Sequence, residues 1–161
     1  MQVYLLRHGV AEADQSGLRD ADRALTQDGR RKLRQTLQTA SGAGVRPTLI
    51  LTSSLTRAVE TAEIAKEVLK YKGELVRTEA LIPSSAVEKV WDEVRVHADE
   101  AAIMLVGHNP LFAELAGYLL GTPGLNIDLK KGSILRIDFE NLSSQPKGIL
   151  RWFLVAKLAA H

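Results

Sequence analysis

Val3-Tyr4-Leu5-Leu6-Arg7-His8-Gly9 is an apolar run that ends abruptly in two basic side chains and a glycine. Val3–Leu6 reads as a buried strand, because four apolar residues with β-branched and aromatic members are bounded by polar ones. The same pattern recurs twice. Thr48–Thr52 leads into Ser53-Ser54-Leu55-Thr56-Arg57-Ala58, and Ile103–Val106 leads into Gly107-His108-Asn109-Pro110. Leu75–Arg77 is a further strand candidate. Ile134–Phe139 and Leu150–Val155 come late, separated by a loop containing Asn141, Pro146 and Gly148, and so fit an antiparallel hairpin at one end of a sheet.

Helical patterns fill the gaps. Gln27–Ala43 has Thr26 as N-cap and Gly44 as stop. Leu55–Tyr71 places Leu55, Ala58, Val59, Ala62, Ala65 and Leu69 on one stripe that should face the sheet. Ser85–His97 and Pro110–Leu120 complete the set, with Pro110 suited to the first helical position and Gly121 to the end. Asp14–Asp22 is polar, contains Gly17 and reads as a loop. Alternating strands and helices predict an α/β fold with a mainly parallel sheet.

Composition narrows the function. The 161 residues fit one domain, 1–161, with a substantial core. Cysteine is absent, which excludes disulfides, thiolate catalysis and Cys-based zinc sites. A net charge of +2 points to neither nucleic acid nor membrane as partner. No apolar run approaches the roughly 20 residues needed to span a bilayer. Arg7 and His8 interrupt the apolar core a signal peptide needs, so a cytoplasmic, unprocessed protein is expected.

In an open parallel sheet, ligands bind beyond the carboxyl ends of the strands. The topology therefore gathers Arg7, His8, Arg57 and His108 on one rim. These residue types suit a phosphoryl group. Arginine presents a planar fork of donors, helix N-termini favour anions, and a neutral imidazole can attack phosphorus. Neighbouring arginines favour that neutral form. Gly9 is expected to let the backbone turn sharply and leave room for the substrate. Taken alone, each residue has a plainer reading: Arg7-His8 as a rim feature, Gly-His-Asn-Pro as a capped turn, Arg57 as a solvated helix residue. Their convergence favours function. His97 reads as a solvated helix end, Trp91 and Trp152 as core or rim packing, and His161 as disordered. Arg30-Arg31-Lys32 with Arg34 reads as a solvated helix face that could also meet an acidic partner.

At these residues the chain resembles the histidine phosphatase superfamily, which includes phosphoglycerate mutases. The marks are Arg7-His8-Gly9, the Ser-Ser-x-x-Arg-Ala-x-x-Thr-Ala pattern from Ser53 to Ala62, and His108. Arg-Ala-Leu-Thr-x-x-Gly from Arg23 to Gly29, Gly-His-Asn-Pro and the short length are similar to the SixA branch of phosphohistidine phosphatases. The resemblance implies a three-layer α/β/α, phosphoglycerate mutase-like domain without a large lid. It implies a phosphate pocket of Arg7, His8, Arg57 and His108, with His8 transiently phosphorylated and Arg23 also reaching the phosphate. No metal or other cofactor is implied. Asp14 stands where many members carry a phosphate-binding Asn, and should repel phosphate unless an arginine pairs with it. Ala80 stands where larger relatives carry a carboxylic general acid, with Glu79 one residue away.

The expected activity is hydrolysis through a phosphohistidine intermediate. The expected substrate is a phosphorylated protein, such as a histidine-phosphotransfer domain. A small-molecule phosphatase and a non-catalytic phospho-binding module are the alternatives, the latter disfavoured by the nucleophile His8. A metallophosphatase lacks the two-metal His/Asp spacing.

Overall fold

The computed structural model describes residues 1–159; His161, expected to be disordered, lies outside them. Six strands form one sheet: β1 (Gln2–Arg7), β2 (Leu49–Thr52), β3 (Leu75–Arg77), β4 (Ala102–Gly107), β5 (Ile134–Asp138) and β6 (Ile149–Leu154), in the order β3-β2-β4-β1-β5-β6. The first four run parallel, while β5 is antiparallel to both β1 and β6. The late pair is the expected hairpin at the sheet's edge.

Side chains alternate between the two faces of a strand, and β1 shows what that buys in layers. Val3 and Leu5 enter one core with Leu51, Ile103 and Leu105, under Trp91, Phe112 and Leu115. Tyr4 and Leu6 enter the other with Ile50, Met104 and Val106, over Leu33, Leu37, Ala58 and Ala62. The helices α3 (Val87–Val96) and α4 (Leu111–Leu119) cover the first face; α1 (Gln27–Gly42) and α2 (Thr56–Val68) cover the second. The result is the three-layer α/β/α arrangement. Each fully buried large apolar side chain contributes roughly 1.5–3 kcal/mol.

Several boundaries differ from expectation. The helix after Asn109 starts at Leu111, with Pro110 as its cap residue and not its first residue. The third helix starts at Val87, two residues inside Ser85, because Ala86 is extended. The second stops at Val68, three residues short of Tyr71. The loop at Asp14–Asp22 closes with a single 3-10 turn, Asp20–Asp22. A short helix α5 (Ala156–Ala159), which was not anticipated, follows β6 and packs beside α1. Four residues are too few to show a period. Among the described residues, no helix is long and apolar enough to cross a membrane.

The start of α1 is fitted tightly to the chain beyond His8. The Thr26 hydroxyl caps the Gly29 N–H at 2.8 Å, and the Thr26 N–H donates to the Val10 carbonyl at 2.9 Å. A Cβ on Gly29 would lie 2.4 Å from that same carbonyl oxygen. Backbone, not a flexible side chain, fills the space. Gly29→Ala should therefore destabilise the protein by about 1–3 kcal/mol, despite alanine's better helix propensity. Urea unfolding checks this; a neutral or stabilising substitution would contradict it.

Candidate active site

Parallel pairing of β1 with β4 sets Arg7 opposite Gly107, so the next residues, His8 and His108, emerge side by side. The His8 N–H donates to the Gly107 carbonyl at 3.0 Å, continuing the ladder one step. On the other side of β4, the Ser53 N–H donates to the Val106 carbonyl at 3.0 Å. Three strand ends thus supply the rim. The imidazole centroids of His8 and His108 lie 5.0 Å apart. His8, Arg57 and His108 are all buried, and Arg7 is half-buried.

Hydrogen bonds fix the ring states. His8 Nδ1 lies 2.7 Å from the Gly9 carbonyl oxygen, which can only accept, so Nδ1 carries the proton and Nε2 keeps a free lone pair. His108 Nε2 lies 2.7 Å from Ser53 Oγ. That hydroxyl already accepts from the Leu55 N–H at 3.2 Å. Donating its own proton to Nε2 satisfies the buried hydroxyl, and assigns the His108 proton to Nδ1. His108 Nδ1, Arg7 Nε and Arg57 Nε are buried and have no protein partner. Buried donors normally have one, and three unpaired N–H groups on residues that share one rim form a concentrated demand for an anion.

Burial first, and then the Arg57, Arg7 and Lys131 charges, hold the His8 imidazole down to about 4, against the opposing Gly9 hydrogen bond. Burial, followed by His8 and the two arginines, holds His108 down to about 3. Both rings are neutral at neutral pH. A neutral His8 is a nucleophile; a protonated one is not.

Other residues keep this arrangement in place. Arg7 Nη1 donates to the Leu129 carbonyl at 2.9 Å, which orients its guanidinium. The Thr61 hydroxyl accepts from the Gly9 N–H at 3.2 Å and donates to the Arg57 carbonyl at 2.7 Å, tying α2 to the nucleophile's loop. Arg57 binds the Asp20 carbonyl at 3.0 Å and carboxylate at 3.3 Å. Arg23 reaches the same carboxylate at 2.8 Å, the Glu12 carbonyl at 2.8 Å, and Asp14 at 3.1 Å. Asp20 therefore bridges the two arginines, and Asp14 has the arginine partner that its charge required.

Gly9 corrects the sequence reading. Its φ is not positive, and a Cβ there would strike Leu33 Cδ1 at 2.7 Å. The residue is small so that α1 can pack against it, not to turn sharply or to admit substrate. Glu79 is exposed, and its carboxylate accepts from the Ser54 hydroxyl at 2.8 Å; Ala80 follows it in the single 3-10 turn Glu79–Leu81. His97 caps the end of α3, Trp91 is core, and Trp152 packs beside Tyr4. Ser53, Thr61 and Asp20 had no role assigned from sequence. The first two stand inside the quoted Ser53–Ala62 motif, so the signal was present; Asp20 lies in a polar loop where nothing marked it. Among the described residues, no group of three or more His, Asp or Glu side chains is placed to hold a metal ion.

The family model for the histidine phosphatase superfamily (branch 1) matches residues 3–82. An uncharacterised protein of Picosynechococcus sp. is 34% identical over 137 residues, covering 84% of this chain and 83% of the relative. Among solved structures, the protein histidine phosphatase SixA in complex with tungstate superposes with a TM-score of 0.86 at 24% identity, covering 98% of this chain and 99% of the other. An alpha-ribazole phosphatase from Shigella flexneri superposes with a TM-score of 0.74 at 19% identity, covering 97% of each chain. These likenesses show the fold.

The depressed histidines make stability depend on pH. Their folded values lie below the ordinary value of about 6.5, so between about 6.5 and 4 the unfolded chain binds more protons than the folded one. Stability must fall as pH drops through that window and be indifferent to these groups above it. Urea midpoints at pH 7, 6 and 5 should decline, and decline less in a His8→Asn, His108→Asn double variant. Histidine NMR resonances of the wild type that titrate near 6.5 for both residues would contradict this.

Proposed function

The chain belongs to the histidine phosphatase superfamily, and on that premise we propose that it removes the phosphoryl group from phosphohistidine on another protein, passing it through His8. The observation that carries the catalytic reading is the His8 ring itself: buried, neutral, its Nδ1–H held by Gly9 and its Nε2 free.

Nε2 attacks phosphorus as the bond to the leaving group breaks. The ring gains positive charge when its lone pair is used, and the Gly9 carbonyl, already accepting from Nδ1, stabilises it. Arg7, Arg57 and the His108 Nδ1–H face the equatorial oxygens, supplying donors that need no rearrangement as charge redistributes. Water then attacks phosphorus, the bond from phosphorus to Nε2 breaks with its electron pair returning to the ring, and inorganic phosphate leaves with His8 in its starting state. That the SixA structure is a complex with tungstate, a tetrahedral oxyanion, supports an oxyanion as a ligand of this fold.

The substrate assignment is supported by proton accounting. An alkyl ester expels an alkoxide, a strong base that needs a positioned acid. Phosphohistidine expels imidazole, which leaves neutral if its other nitrogen keeps a proton; its conjugate acid has a pKa of roughly 6.5. Ala80 offers no proton, the Glu79 carboxylate is engaged by Ser54, and His108 is held neutral. The connection from β1 to α1 carries a single helical turn, Asp20–Asp22, and an Ala11–Leu25 bridge, with no inserted helical lid among the described residues, which supports access for a protein-borne phosphate.

His8→Ala should abolish turnover while retaining phosphate binding, and near-normal activity would refute the nucleophile. Arg57→Lys should lower kcat/KM by at least about tenfold, because a point charge replaces a fork. Chelators should leave the rate unchanged. With wild type, kcat/KM for a phosphohistidine protein should exceed that for an alkyl phosphate by at least about a hundredfold, roughly 2.7 kcal/mol of transition-state preference. The reverse ranking, with a sugar phosphate turned over best, would favour the small-molecule reading and Glu79 as acid.

A further inference from the structure

The basic run on α1 takes no part in the chemistry above, yet it lies against the catalytic rim. A cleft of about 400 Å³ is lined by Arg31, Lys32 and Gln35 of α1, by Val10, by Lys131, and by Ala156 and Lys157 of α5. Val10 stands two residues beyond His8, at most about 7 Å along the chain. Lys131 precedes Gly132, whose N–H donates to the carbonyls of both Arg7 and His8 at 3.1 and 3.0 Å. The Lys131 charge is near enough to help depress the His8 imidazole. The cleft therefore adjoins the two chain segments, at Val10 and at Lys131, that flank the nucleophile.

Its charge sets it apart. Four cations line it and no carboxylate does. Other clefts on the surface mix signs: one is lined by Asp138, Glu140 and Lys147, another by Glu79, Lys89, Asp92 and Glu93. Asp28 pairs with both Arg31 and Lys32, at 2.6 and 3.0 Å, but these are exposed pairs within one helix and are weak. One carboxylate against four cations leaves a local excess of three positive charges, in a chain whose total is +2. Val10 is exposed beside the cleft and gives it an apolar edge.

We propose that this cleft docks an acidic segment flanking the phosphorylated histidine of the partner protein, so that substrate preference is set by carboxylates within about two helical turns of the phosphate. The proposal rests on the phosphoprotein reading above. It adds which sequences that reading favours: complementary charge raises encounter and fixes register, and its effect is screened over roughly 8–10 Å at physiological salt.

Two synthetic peptides test it, each extending roughly seven residues, two helical turns, to either side of a phosphohistidine. One carries glutamates in the flanks and the other glutamines. The enzyme variant is Lys32→Glu, Lys157→Glu, two exposed positions outside the phosphate site. Wild type should hydrolyse the glutamate peptide with a kcat/KM at least about tenfold above the glutamine peptide, and the variant should erase or invert that ratio. Both enzymes should hydrolyse phosphoimidazole within about twofold of each other, which shows that the variant is folded and active. A parallel arm measures binding of the unphosphorylated glutamate peptide by fluorescence anisotropy. Weaker binding to the variant supports the cleft even if neither phosphopeptide is hydrolysed, an outcome that would defeat the phosphohistidine reading alone. Equal kcat/KM for the two peptides, with binding unchanged by the substitutions, overturns the docking proposal. Tighter binding of an oligonucleotide of equal charge at physiological salt overturns it as well.

Discussion

Everything at the rim depends on the register of β1 against β4. With Arg7 opposite Gly107 and the His8 N–H on the Gly107 carbonyl, the two histidines leave adjacent strands at the same level. A slip of one residue would turn every side chain of β1 to the other face. It would exchange Val3 and Leu5 for Tyr4 and Leu6 in cores already full, and would carry His8 away from His108. The register is thus enforced by apolar packing on both faces of the sheet, far from the chemistry it positions.

The same packing sets the electrostatics. Rings at the end of central strands are withdrawn from water, and withdrawal keeps each neutral well below the ordinary value of about 6.5. Arg7 and Arg57 reinforce that, while keeping N–H groups without protein partners. Such groups are costly in a folded chain, and their cost is offset only when an anion accepts from them. Stability given up at the rim is recovered as affinity for a phosphoryl group. Asp20, shared between Arg57 and Arg23, partly compensates the arginines from the solvent side.

Much of this was legible in the sequence. Apolar runs ending in Arg7-His8, in Ser53-Ser54 and in Gly107-His108 marked both the strands and the rim, because a buried parallel strand must be apolar and its carboxyl end is where polar function collects. The four principal helices were legible, the second from its apolar stripe and the first and fourth from Thr26, Gly44, Pro110 and Gly121 at their ends. Their first residues were not: Pro110 is a cap residue and Ala86 lies outside its helix, since local propensity allows a shift of one or two residues that only packing decides. Ser53 stands in a legible motif, but its role depends on a hydroxyl meeting His108 from the neighbouring strand end, a contact between residues 55 apart in sequence. The role of Gly9 was misread because a sequence does not show that Leu33 presses on it.

The central claim is that His8 Nε2 itself carries the phosphoryl group between substrate and water. Rapid mixing with a phosphohistidine protein, quenched in base because phosphohistidine is acid-labile, followed by proteolysis and mass spectrometry, locates the group; 31P NMR of the isolated peptide distinguishes the two ring nitrogens. The account requires a transient phosphoryl group on His8 at Nε2, because Nδ1 is committed to the Gly9 carbonyl. A turning-over enzyme with no phosphoryl group on His8 at any mixing time, or with the group on Nδ1 or on another residue, would contradict it.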